Sequence, residues 1–126
     1  MTATIAVGFL IGCAPVYKAP EEAVTLTGST ADDGETSTIL VRTVFYGSGG
    51  AIAEISGGRC HARAPGLNAK FTTPRKIEVP TGGDTLPNLS LTCHAVVGAS
   101  ERKAEVVVAP KKNGTGYRET VKVLFH

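Results

Sequence analysis

The feature that most constrains this chain is its punctuation. From Val24 onward, short apolar and β-branched runs alternate with breaks rich in Gly, Pro and Asp, and no stretch keeps a helical period. The longest run is Thr36 to Tyr46, TSTILVRTVFY, which ends at Gly47-Ser48-Gly49-Gly50. Shorter ones are Val24 to Thr27, Ala51 to Ile55, and Arg59 to Ala64, closed by Pro65-Gly66. Ala69 to Thr72 and Arg75 to Val79 flank Pro74, which cannot donate to a strand ladder and so marks a bend or an edge. Leu89 to Val97, Lys103 to Ala109 and Tyr117 to Phe125 complete the series. Six to eight short strands and no helix predict an all-β fold, a small antiparallel β-sandwich or a related open barrel.

A length of 126 residues fits one such domain and leaves little for a second. The net charge of +2 is close to neutral. The basic residues read as scattered, with Arg75-Lys76, Arg102-Lys103 and Lys111-Lys112 as solvated strand ends or loops. Phosphate backbones call for a concentrated basic stripe, so nucleic acid is not expected as a partner.

The N-terminal segment carries one apolar run, Ile5 to Ile11, followed by Gly12-Cys13. The run is too short for the ~20 apolar residues of a membrane-spanning helix, and it suits the apolar region of a secretory signal. Leu10-Ile11-Gly12-Cys13 resembles a bacterial lipobox. That resemblance implies cleavage before Cys13, acylation of Cys13, and a lipid anchor on the mature chain. The expected organisation is a signal peptide over 1–12, a lipidated tether over 13–23 and a β-sandwich over 24–126. The competing reading makes Thr4 to Ile11 an ordinary first strand and Cys13 a buried thiol.

Two Cys-His dipeptides, Cys60-His61 and Cys93-His94, raise the question of a metal site. Alternation along a strand answers it. Cys60 shares a face with Ala62 and Ala64, and Cys93 with Leu89 and Leu91, whereas Arg59, His61, Arg63 and His94 point the other way. Ligands of a tetrahedral zinc must converge to about 2.0–2.3 Å, which neighbouring residues of an extended strand cannot do. No metal or other cofactor is expected. A Cys60–Cys93 disulfide follows if the chain is exported, and two buried thiols if it is not. The histidines lie on one face but out of register if the strands pair antiparallel, on opposite outer faces if the bridge crosses a sandwich, and side by side only if the strands pair parallel.

Other chemistry is weakly represented. Asp32-Asp33 with Glu35 lacks the spacing of a calcium loop, nothing frames a nucleophilic Ser, and Gly47 to Gly50 lacks the ending of a phosphate loop. Asn88 and Asn113 fit a glycosylation sequon that means little in a bacterial chain. No catalytic residue is assigned, and the chain is not expected to be an enzyme.

Gly57-Gly58-Arg59-Cys60, the segment Asn68-Ala69-Lys70-Phe71, the turn Thr72-Thr73-Pro74, the alternating Lys76-Ile77-Glu78-Val79 and the strand ending Thr92-Cys93 follow one another in order. This series resembles the small Gram-negative lipoproteins whose domain is similar to PEGA modules. The resemblance implies a β-sandwich scaffold in the cell envelope, most simply on the outer membrane facing the periplasm. It implies contacts with other envelope or assembly proteins and no small-molecule substrate. The expected function is that of a non-catalytic structural or accessory subunit anchored through Cys13. The alternative is a soluble β-sandwich subunit of a phage-like or other multi-protein particle, without a signal peptide.

Overall fold

The computed structural model describes residues 17–28, 35–47, 49, 52–81, 86–111 and 116–126. Cys13, Asp32, Asp33 and Asn113, with the apolar run before Cys13, lie outside the described residues. Among the described residues ten strands follow one another: β1 (Val24–Thr25), β2 (Thr27–Gly28), β3 (Thr36–Tyr46), β4 (Ile52–Ile55), β5 (Arg59–Ala64), β6 (Leu67–Thr72), β7 (Arg75–Pro80), β8 (Leu89–Val97), β9 (Ser100–Val108) and β10 (Thr120–Phe125). The count exceeds the expected six to eight partly because the run at 24–28 divides in two.

The strands form two five-stranded sheets. The first runs β1-β7-β3-β10, with β4 also paired to β3. The second runs β2-β6-β5-β8-β9. Most pairings are antiparallel, as expected, but β10 lies parallel to β3 and β1 parallel to β7. Strand β1 borders the first sheet and β2 the second, and Leu26 between them is fully buried, so the chain changes sheets at that residue.

The core lies between the sheets, as period-two alternation requires. Ile39, Val41, Ile77, Val79, Val121, Val123 and Phe125 face Cys60, Ala62, Phe71, Leu89, Leu91 and Cys93. Core side chains are mostly small or β-branched, and Tyr117 is buried among them. That residue is 2 % exposed; its hydroxyl donates to Pro87 O at 2.6 Å and its backbone N–H to Ser37 Oγ at 3.1 Å. Burial raises the pKa of the phenol above its ordinary value.

Both connections between β4–β5 and β6–β7 pass from one sheet to the other at the same place. Strand β7 pairs with 36–41 of β3 and β4 with 43–46, so their facing ends leave a gap beside Thr43. There Thr43 Oγ1 donates to Ile55 O at 2.7 Å, which makes Thr73 the donor in its 2.6 Å contact with Thr43. Gly58 N–H donates to Thr73 Oγ1 at 3.1 Å and completes the chain of bonds. A Cβ on Gly58 would stand 2.8 Å from Thr73 Oγ1 and 3.0 Å from Thr43 Oγ1, so the node admits only glycine there without rearrangement. Pro74 falls in this bend, where the sequence places it, and the Thr73-Pro74 peptide is cis. Among the described residues, no buried side-chain nitrogen or oxygen lacks a hydrogen-bond partner.

A candidate docking face and its tether

Cys60 and Cys93 are bonded to each other and stand directly opposite in the β5–β8 ladder. The bridge therefore joins neighbouring strands of one sheet and does not cross the sandwich. Of the arrangements open from sequence, this is the antiparallel one. His61 stands opposite Thr92 and His94 opposite Arg59, so the histidines share the outer face on a diagonal. Among the described residues, no group of three His, Cys, Asp or Glu side chains is placed to hold a metal ion.

Alternation that turns the cysteines inward turns the polar residues of β5, β6 and β8 outward in rows. Lys70, His61 and Thr92 form one row, Thr72, Arg59 and His94 the next, and Asn68, Arg63 and Ser90 the third. With Arg75 and Val24 at the near edge, the first two rows and Arg63 line a shallow depression of about 680 Å³ over Cys60 and Phe71. Arg63 Nε donates to His61 Nδ1 at 3.2 Å, which places the imidazole hydrogen on Nε2, 3.4 Å from Asn68 Oδ1. The ring is thereby held in one orientation, and Arg63 is held beside it.

Acidic groups on this face sit at its far edge. Glu101 and Glu105 on β9 pair with Arg59 and with Lys103, and both pairs are largely exposed. Such pairs contribute about 0–1 kcal/mol each and exchange partners readily. Among the described residues, Arg63, Lys70 and Arg75 have no carboxylate partner. The depression is thus a platform of guanidinium and ammonium donors, suited to carboxylates or phosphates, with Arg able to bind them in a fork. Sequence reading placed Arg59, His61 and Arg63 on one outer face but missed the cluster. The signal was the register across Pro65-Gly66, which brings Lys70 opposite His61.

The opposite outer face, that of the first sheet, carries the segment leading in from the N-terminal side. Tyr17 N–H donates to Glu54 Oε1 at 3.3 Å, and Arg42 Nη1 donates to Tyr17 O at 2.8 Å. Arg42 and Glu54 also pair with each other at 2.7 Å, with the Glu54 side chain only 7 % exposed. Farther along, Arg75 Nε donates to Glu22 O at 3.0 Å. Residues 17–22 are thus a strap, clasped on this face by Arg42 and Glu54 and bonded at Glu22 to Arg75 at the edge of the sheet. Their Pro and charged residues announce a tether; nothing in them announces that the tether is bound.

A third feature is the side of the sandwich where β9 and β10 end their sheets. The strands share no backbone ladder, and a cleft of about 420 Å³ runs between them, lined by Arg102, Val106, Lys122 and Leu124 among others. Arg102 donates to His126 O across it. No helix among the described residues is long and apolar enough to cross a membrane.

The fold and these surfaces define a disulfide-bridged all-β sandwich with a strapped N-terminal segment. No family model matches the chain, and neither a curated protein nor a solved structure does.

Proposed function

We propose that this chain is a membrane-anchored envelope lipoprotein, a non-catalytic accessory subunit that holds a partner protein through its cationic face. One observation carries the reading: the strap is clasped at Tyr17 on the outer face of one sheet, and the basic depression opens on the outer face of the other, with Arg75 at the edge between them. A domain tethered from one side and charged on the opposite side is suited to presenting that second side to its surroundings. The lipobox-like Leu10-Ile11-Gly12-Cys13 supplies the anchor, and the PEGA-like series from Gly57 to Cys93 points to the same envelope setting. The disulfide fits an oxidising compartment such as the periplasm. The partner surface is acidic, since Arg63 and Lys70 offer two cations without carboxylate partners among the described residues.

The test is copurification from the native host in mild detergent. Wild-type chain brings down a defined partner, and the Arg63→Glu/Lys70→Glu variant loses it while keeping the same membrane fraction. Equal recovery with both chains sinks the docking role of this face. Intact mass of the same material decides the anchor: a chain beginning at Cys13 with added acyl groups supports it, and an unmodified Met1 chain favours a soluble subunit instead.

A further inference from the structure

The described residues expose six large hydrophobic side chains: Tyr17, Tyr46, Ile52, Val96, Val107 and Leu124. Val96 and Val107 stand singly on the second sheet. The other four gather on the outer face of the first. Tyr46 lies opposite Ile52 in the β3–β4 ladder, Leu124 lies opposite Val44 in the β3–β10 ladder, and Tyr17 is held at Glu54, which itself faces Val44. Ile52 is 54 % exposed and Leu124 48 %, so the cluster is open to solvent at its rim, whereas Val44 at its centre is only 5 % exposed.

The strap reaches this same cluster. Arg42 and Glu54 fix the backbone of Tyr17 there, and Cys13 is four residues away in sequence. At ~3.3–3.6 Å per extended residue, that stretch spans at most about 14 Å. A sandwich has sheets about 10 Å apart plus a layer of side chains on each side. An anchor at Cys13 therefore cannot carry the membrane round to the second sheet while the strap stays pinned.

We propose that the outer face of the first sheet rests against the lipid leaflet, with Tyr17, Tyr46, Ile52 and Leu124 seated in its headgroup layer. The inference rests on the lipoprotein reading and adds an orientation to it. Tyrosines suit this layer because the ring is apolar and the hydroxyl stays hydrated, and the branched side chains supply apolar area beside them. The cationic depression then faces away from the bilayer.

The chain has no Trp, so a single introduced one reports alone. Ile52→Trp and Ser90→Trp place it on the two opposite outer faces, at exposed positions. Full-length protein from the native host is incorporated into phosphatidylethanolamine/phosphatidylglycerol vesicles with acyl chains brominated near the headgroup. Bromolipid quenches the Ile52→Trp protein several-fold more than the Ser90→Trp protein. Equal quenching, stronger quenching of Ser90→Trp, or an Ile52→Trp signal shielded within a cross-linked dimer overturns the proposal. Intact mass separates the two ideas. With Cys13 acylated, equal quenching removes only the orientation. With Cys13 unmodified the anchor falls, and the same vesicles mixed with the soluble chain decide the face, selective quenching supporting it and none overturning it.

Discussion

The two outer faces of the sandwich are built by the same rule and have come out opposite in character. On the second sheet, outward positions of β5, β6 and β8 carry Arg59, His61, Arg63, Lys70 and His94 above a disulfide. On the first sheet, the corresponding positions near the strap carry Val44, Tyr46, Ile52 and Leu124, and the charges of Arg42 and Glu54 are paired beneath Tyr17. The basic face is rigid underneath and open above. The apolar face is held by a strap whose few hydrogen bonds can be removed singly. Alternation alone does not decide what an outward position carries; it fixes only that the position is outward.

The largest effect expected from separating them comes from the bridge. Replacing Cys60 and Cys93 together by Ala lowers stability by about 3–4 kcal/mol in the chain-entropy account, read as a shifted denaturant midpoint. Hydrogen exchange then rises first in β5 and β8, under the basic face. If exchange rises first at the strap instead, the faces are coupled and the contrast fails.

Next is Glu54→Ala, which leaves Arg42 without its carboxylate and removes the acceptor of Tyr17 N–H. The cost is about 1–3 kcal/mol. Limited proteolysis cuts within 17–22 in this variant well before wild type, with the basic face unaltered. Protection equal to wild type means that the strap is held by something other than this clasp.

Tyr117 serves neither face and is the control for both. Tyr117→Phe loses the bond to Pro87 O at a cost of about 1 kcal/mol. Burial raises the phenol pKa, so the folded state keeps its proton at pH values where the unfolded chain has lost it. That contribution is fully present below pH ~10 and is lost as pH rises through the folded-state value. Alkaline titration of unfolding therefore shows a steeper loss in wild type than in Tyr117→Phe. Parallel curves rule this out.

The smallest effect belongs to Arg63→Glu/Lys70→Glu, two exposed positions whose reversal changes stability by about 0.5 kcal/mol or less. Calorimetry showing a large loss would mean that the basic face is part of the fold and not a surface left free for a partner.

Sequence reading located the long strands because their cues are local. Thr36–Tyr46, Arg59–Ala64 and Leu89–Val97 fall where alternation and flanking breaks put them, and the inward cysteines follow from the same period. The alternation at Tyr117 misled: the residue precedes β10 and is buried as a plug, because its hydroxyl reaches Pro87, thirty residues back in the chain. Register is non-local too, and the basic cluster depends on it, since Lys70 meets His61 only once the β5–β6 hairpin is paired. The pinned strap depends on contacts with Arg42 and Glu54 that no spacing within 17–22 encodes.

The strap also sets how the molecule would bear a load. A pull on its N-terminal end meets the Tyr17 clasp first, then the Glu22–Arg75 bond, and only afterwards the short β1–β7 ladder. These attachments lie in series along the chain, so they yield one after another and not together. The first two can let go and lengthen the leash with both sheets, the core and the disulfide intact. A pull at that end would then be met by a longer strap rather than by an unfolding domain.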